Sequence, residues 1–263
     1  MDANALLALT GKKAVLFGAA GGIGSAVAYG LAQAGCDVAL VDVNPAASEP
    51  LARRIGELGR VALTLGGDVT DAAQVAAAVT AARQQFGRLD IAVNLAFVSR
   101  LKPIVEMSTG EFTATIDTCL RGSFLVSQAV GRVLVEQGSG GSVIHFSSIA
   151  GAVALGRGTG AYAAAKAGIN ALVRELSVEW GPHRIRVNAI APCQTLTAGL
   201  NQVLDDPRFG GRETLLAKME AKIPLGRLAR PEDMIGPCVF LASDAAAMVT
   251  GHILYVDGGY TAQ

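Results

Sequence analysis

Ala14-Val15-Leu16-Phe17 runs directly into Gly18-Ala19-Ala20-Gly21-Gly22-Ile23-Gly24, and a helical stretch from Ser25 to Ala34 follows. An apolar run, a glycine turn and a helix in that order form the context a dinucleotide site requires. Glycines let the backbone approach a pyrophosphate, and the helix start offers unpaired N–H groups and the positive end of its dipole. The next apolar run, Asp37 to Val43, carries Asp42 about 20 residues after the turn, where a ribose-binding carboxylate belongs. A tight strand-to-helix turn that binds nothing is the plainer reading, and the placement of Asp42 weighs against it.

Outward from this turn, strand-like and helix-like segments alternate. Strands are predicted at Ala14–Phe17, Val38–Val43, Val61–Gly66, Ile91–Leu95, Ser142–Ser147, Arg186–Ile190 and Ile253–Val256. Several are continuously apolar, as strands buried on both faces of a parallel sheet should be. Helical patterns cover Ala72–Phe86, Thr113–Glu136, Tyr162–Trp180 and Pro231–Leu241, with Pro231 where a helix start tolerates proline. No linker composition or internal repeat interrupts residues 1–263. The expectation is an α/β chain forming one doubly wound Rossmann domain, with a mostly parallel seven-stranded sheet flanked by helices and ligands at the carboxyl ends of the strands.

Composition narrows the function. Lys+Arg and Asp+Glu both number 22, and this zero formal charge argues against nucleic acid or an anionic membrane surface as partner. Cys36, Cys119, Cys193 and Cys238 are scattered without metal-ligand spacing, so no metal site is expected. They read as reduced thiols of a cytoplasmic protein. The start, Met1-Asp2-Ala3-Asn4, lacks the basic region of a signal peptide. No uninterrupted apolar run approaches the length that spans a bilayer.

Tyr162 and Lys166 carry the chemistry. Four residues apart in Tyr162-Ala-Ala-Ala-Lys166, they share one helix face, which sets the ammonium beside the phenol. A lone tyrosine is a poor acid–base group at neutral pH, and a nearby positive charge draws its pKa down towards the working range. The spacing alone is common. Its position, after a strand ending in Ser147-Ser148 and in a chain that opens on a glycine turn, gives it weight.

These motifs together resemble the classical short-chain dehydrogenase/reductase family over nearly the whole chain. Gly18, Gly22 and Gly24 match its glycine pattern, and Asp68-Val69 its adenine-contacting pair. Asn94-Leu95-Ala96-Phe97 falls where the family has Asn-Asn-Ala-Gly, and Pro192-Cys193 on its Pro-Gly, with Thr197 five residues past the proline. Ser148, Tyr162 and Lys166 match the catalytic trio, and Pro224-Leu225-Gly226-Arg227 through Asp257-Gly258-Gly259 matches the family's end. Ser147 is the rival serine; the following Ile149-Ala150-Gly151 fits the family best with Ser148. The resemblance implies an NAD cofactor held by Gly18, Gly22, Ile23, Gly24, Asp42, Asp68, Val69, Asn94, Ala96, Tyr162, Lys166, Pro192, Thr195 and Thr197.

The implied reaction interconverts a secondary alcohol and a ketone. Tyr162 exchanges the hydroxyl proton while hydride moves to or from the nicotinamide, Lys166 tunes the tyrosine and holds the ribose, and Ser148 orients the substrate oxygen. The chain departs from the family at Cys119, where an asparagine serves a water-mediated proton relay, and at Phe17, Leu95, Phe97 and Cys193. The contrasting reading is a nucleotide-binding or regulatory protein without catalysis, for which Cys119 is the best support. An inert descendant has no chemical need for Ser148, Tyr162 and Lys166 together.

Further expectations concern the surroundings. Pocket walls are expected from Phe97, Arg100, Ala150, Leu155, Arg157, Gln194 and Leu196, and a substrate lid from Thr197–Lys222. Arg157, Arg208 and Arg212 are candidate anion binders, although surface arginine is the commoner explanation. Asp42, with no basic residue in the glycine turn, predicts NAD(H) over NADP(H). Phe17 and Leu95 are expected in contact, as an apolar replacement for a polar pair. The resemblance implies a homotetramer, with helices around Thr113–Glu136 and Tyr162–Trp180 as one face and the region Asp257–Gln263 as a second.

Overall fold

Seven strands build the centre: β1 (Lys13–Phe17), β2 (Asp37–Asp42), β3 (Ala62–Gly66), β4 (Ile91–Asn94), β5 (Gly141–Phe146), β6 (Ile185–Pro192) and β7 (Ile253–Val256). In the computed structural model, which describes residues 2–156, 158–206 and 210–263, they pair in the order β3-β2-β1-β4-β5-β6-β7. Every pairing is parallel, so the sheet is wholly rather than mostly parallel. The order reverses between β1 and β4, which opens the crevice where such sheets bind ligands.

Helices cover both faces. Helix α1 (Ala3–Leu7) is a short lead-in, and α2 (Gly22–Gln33), α3 (Glu49–Glu57) and α4 (Ala72–Phe86) follow successive strands. Asp71 starts α4 by accepting the N–H groups of Ala73 and Gln74, which fixes the boundary the sequence pattern predicts. Helices α5 (Thr109–Ile116) and α6 (Gly122–Gln137) are joined by a π turn over Asp117–Arg121. The expected helix Thr113–Glu136 therefore starts four residues earlier, where Ser108 and Glu111 form a reciprocal capping box, and is widened at its middle. Helix α7 (Gly160–Trp180) runs along the sheet, α8 (Ala198–Leu204) and α9 (Arg212–Glu220) follow β6, and α10 (Ile235–Ala242) follows a 3-10 turn at Pro231–Met234.

Two apolar cores result, one on each face. Leu31 of α2, Ile55 of α3 and Leu241 of α10 close over Leu16, Leu40, Val93 and Ile144. On the other side Val79 of α4, Leu134 of α6 and Val173 of α7 close over Val15, Phe17, Val41 and Val143. This division overturns the expected Phe17–Leu95 contact. Phe17 is in register with Asn94, so Leu95, one residue on, is turned by the pleat to the opposite face. The two side chains lie in different cores, joined only through the backbone by Leu95 N–H donating to the Phe17 carbonyl at 2.8 Å.

Candidate active site

A groove of about 560 Å³ opens at the carboxyl ends of β1, β2 and β4, lined among others by Gly18, Gly21, Asp42, Asp68, Val69 and Ala96. The turn that forms it demands glycine. Gly18 has φ +79°, and a Cβ there would lie 2.8 Å from the Ala96 nitrogen; a Cβ at Gly24 would lie 2.1 Å from the Gly18 carbonyl oxygen. The chain therefore folds tightly back on itself as α2 begins. Gly21 is the N-cap of α2 and supplies no side-chain cap, so the first N–H groups of the helix remain available to an anion.

Asp42 closes the far end of the groove. Its carboxylate accepts the N–H groups of Ala20 (3.1 Å) and Asn44 (3.2 Å), which holds it at the turn. Asp68 accepts the N–H and the hydroxyl of Thr70, both at 2.8 Å. The remaining expected cofactor residues surround this cleft in different ways. Gly22 packs against the methyl of Thr197, which caps α8 by accepting the Leu200 N–H at 3.3 Å. Ile23, half-buried, packs against the α2-side core. Asn94 braces the end of β4: it donates to Ser123 Oγ (3.0 Å) and accepts the Ala96 N–H (3.2 Å). Pro192 ends β6 beside Val256, and buried Thr195 donates to the Cys193 carbonyl at 3.1 Å. Val43, Thr70, Val98, Asp117 and Thr118 also line the groove; as ordinary loop and helix residues they gave no signal in the sequence.

Ser148, Tyr162 and Lys166 meet where β5 ends. The two serines separate by function. Ser147 Oγ donates to the Lys166 carbonyl at 3.3 Å, whereas Ser148 accepts the Ala150 N–H at 3.2 Å and lies near enough to Tyr162 to influence its hydroxyl. Lys166, only 2% exposed, donates through Nζ to the Phe146 carbonyl at 2.6 Å and lies 5.4 Å from the centre of the Tyr162 ring. Burial is the largest influence on the tyrosine pKa and pushes the phenol up, the nearby Cys119 adds to the rise, and Ser148 opposes it. Burial likewise lowers the lysine. By accessible surface the ring of Tyr162 is itself only half-buried.

Beside the trio, Phe97 is 60% exposed and meets Tyr162 edge-on, with ring centres 6.3 Å apart. Ala150 is buried, Leu155 half-buried, and Arg100 and Leu196 are exposed. Gln194 keeps its side-chain oxygen enclosed. Arg212 binds Asp205 (2.6 Å) and Asn201 (2.7 Å), so it braces α8 against α9. Arg157 and Arg208 lie outside the described residues. Cys119, in the π turn, is fully buried; its thiol donates to the Val98 carbonyl at 3.3 Å. A second cavity, about 420 Å³, lies at the amino ends of β4, β5 and β6. Its arginines are already engaged, Arg88 by Asp90, Arg184 by the Gly138 carbonyl and Arg186 by the Ser243 carbonyl, so no chemistry is assigned there. Among the described residues no helix is long and apolar enough to cross a membrane.

Comparison with known proteins agrees with this geometry. Residues 18–261 match a family described as enoyl-(acyl carrier protein) reductase. The D-threitol dehydrogenase of Mycolicibacterium smegmatis is 42% identical over 253 residues, covering 96% of this chain and 94% of that protein. A short-chain type dehydrogenase/reductase from Mycobacterium marinum superposes with a TM-score of 0.92 at 35% identity, covering 98% of each chain. A gluconate 5-dehydrogenase from Burkholderia cenocepacia, solved with NADP and tartrate, gives 0.92 at 32% identity and covers 100% of both chains. With the glycine turn, the serine–tyrosine–lysine cluster and the strand order all in place, this chain belongs to the short-chain dehydrogenase/reductase family of oxidoreductases.

Proposed function

We propose that this protein is an NAD(H)-dependent oxidoreductase interconverting a secondary alcohol of a polyhydroxylated carbon chain with the corresponding ketone. The observation that carries the reading is the meeting of Ser148, Tyr162 and Lys166 at the end of β5, with the buried Lys166 Nζ one helical turn on and 5.4 Å from the centre of the phenol ring. The groove fits a dinucleotide: uncapped N–H groups of α2 suit the pyrophosphate, Asp42 the adenosine ribose, and the Asp68-Val69 pair the adenine. A bound nicotinamide supplies the hydride donor or acceptor. The chain's residues do the rest. Ser148 directs the substrate oxygen towards the Tyr162 hydroxyl, Tyr162 exchanges the proton, and Lys166 anchors the ribose beside it. The described parts of Thr197–Lys222, α8 and α9, close over the substrate and keep water out. The polyol preference rests on the relatives named for threitol and gluconate. The test is reduction of NAD⁺ with threitol, gluconate and simple secondary alcohols; no turnover with any of them, using either dinucleotide, would overturn the proposal.

Cofactor choice follows from Asp42. A 2′-phosphate on the ribose meets its carboxylate, and the residues lining the groove include Asp68 and Asp117 but no lysine or arginine. Like-charge juxtaposition costs several kcal/mol, so kcat/KM is expected to favour NAD⁺ over NADP⁺ by about 100-fold. Asp42→Ala should narrow that ratio sharply. Comparable efficiency of the wild type with both cofactors would refute the assignment.

We also infer a homotetramer in the cytoplasm. All four cysteines are unpaired and buried, as suits a reducing compartment. Phe112 on α5, Phe124 on α6 and Val178 on α7 stay 41%, 48% and 79% exposed, which leaves an apolar face for a second copy. Light scattering at micromolar concentration is expected to give about four times the chain mass; a monomer would count against it.

A further inference from the structure

Beneath the catalytic end of the sheet runs a buried polar seam that the reaction outlined above does not use. Asn94 and His145 are register partners on β4 and β5. Asn94 donates to Ser123 Oγ at 3.0 Å, and Ser123 donates to the Cys119 carbonyl at 2.6 Å. One turn along α6, Ser127 Oγ meets His145 Nε2 at 2.9 Å. His145 is fully buried, yet its Nδ1 has no hydrogen-bond partner. Either tautomer leaves that nitrogen unmet: as a donor if Ser127 gives its proton to Nε2, as an acceptor if Nε2 carries the hydrogen. An enclosed polar atom left so loses its hydration without return.

We propose that His145 Nδ1 holds a buried water behind Lys166, and that this water gives the lysine an ordered hydrogen-bond outlet in a chain with a thiol at position 119. A buried water needs about two to four polar partners. Lys166 is fixed one residue away, because Nζ donates to the Phe146 carbonyl and has two further hydrogens. Asn94 has a second amide hydrogen beyond the one given to Ser123. The Cys119 thiol is spent on the Val98 carbonyl. Burial holds the imidazole neutral, with a pKa pushed down to about 4, and the nearby Lys166 charge adds to that. A neutral ring beside an ammonium accepts a bridging water without charge repulsion. His145 is thus a positioning residue, acting on the tyrosine through Lys166.

The role rests on the catalytic reading, while the water site itself does not. A crystal structure of the wild type is expected to show a water within hydrogen-bond distance of His145 Nδ1 and of Lys166 Nζ or Asn94. His145→Leu should lose that water and lower kcat by about tenfold with KM for alcohol and NAD⁺ unchanged. His145→Asn, which retains polar atoms there, should keep both water and rate. An empty, dry Nδ1 site overturns the proposal. So does an equal loss in the Leu and Asn variants, which would mark a packing effect, or an unchanged kcat in His145→Leu. If Tyr162→Phe remains active, the catalytic reading fails instead, and the crystallographic water still decides the site.

Discussion

Tyr162→Phe is expected to lower kcat by about 10²- to 10⁴-fold, the usual contribution of a positioned acid–base group, while NAD⁺ still binds. Phenylalanine keeps the ring, and with it the edge-on contact to Phe97 and the proximity to Lys166. What disappears is the hydroxyl beside Ser148. In the proposed reaction the wild-type Tyr162 hydroxyl is the group that gives its proton to a ketone. The variant has nothing to donate. Binding measured by quenching of Trp180 fluorescence, set against turnover, separates the two effects. Cys119→Asn should instead preserve or raise the rate, since it restores the family's amide at that position and leaves in place the backbone carbonyl that Ser123 engages. Turnover that survives in Tyr162→Phe would show the proton travelling through another group.

Gly24→Ala should be the most damaging single methyl group in the chain. The new Cβ would be built 2.1 Å from the Gly18 carbonyl oxygen and 3.1 Å from the Ala19 Cα, both backbone atoms that cannot swing aside. The turn must open, at a cost of about 2–3 kcal/mol. For a chain of this size that lowers Tm by roughly 5–10 °C. Affinity for either dinucleotide should fall at least about tenfold, since the α2 N-terminus leaves its place against the pyrophosphate. Gly21→Ala is the control, because its Cβ meets only the Gly18 oxygen, at 3.4 Å. Calorimetry of both variants tests the argument: equal Tm values would mean that the tight approach at Gly24 carries no strain.

Strands were legible in the sequence because burial on both faces makes them continuously apolar, and the glycine turn with Asp42 announced the groove. The trio was legible because its spacing and order sit close together along the chain. Long-range register was not. Nothing local says that Phe17 pairs with Asn94 rather than Leu95, and one residue of register exchanges the two faces. The π turn at Asp117–Arg121 was hidden because an apolar helical pattern tolerates one extra residue per turn. The tyrosine pKa depends on how dry the assembled site is, a property of several distant segments. His145 lies in a strand where both faces are buried, so alternation gave no hint that it would meet Ser127.

The pairing of β1 with β4 across 77 residues also governs the order in which this molecule is made. The glycine turn emerges early from a ribosome, but its opposite wall, Ala96, arrives only with the end of β4, and Pro192 and Thr197 come a hundred residues after that. Contacts so distant in sequence form slowly, and no amino-terminal fragment owns a complete nucleotide cleft. The dinucleotide can therefore select only finished chains, adding stability to the native state and none to its precursors.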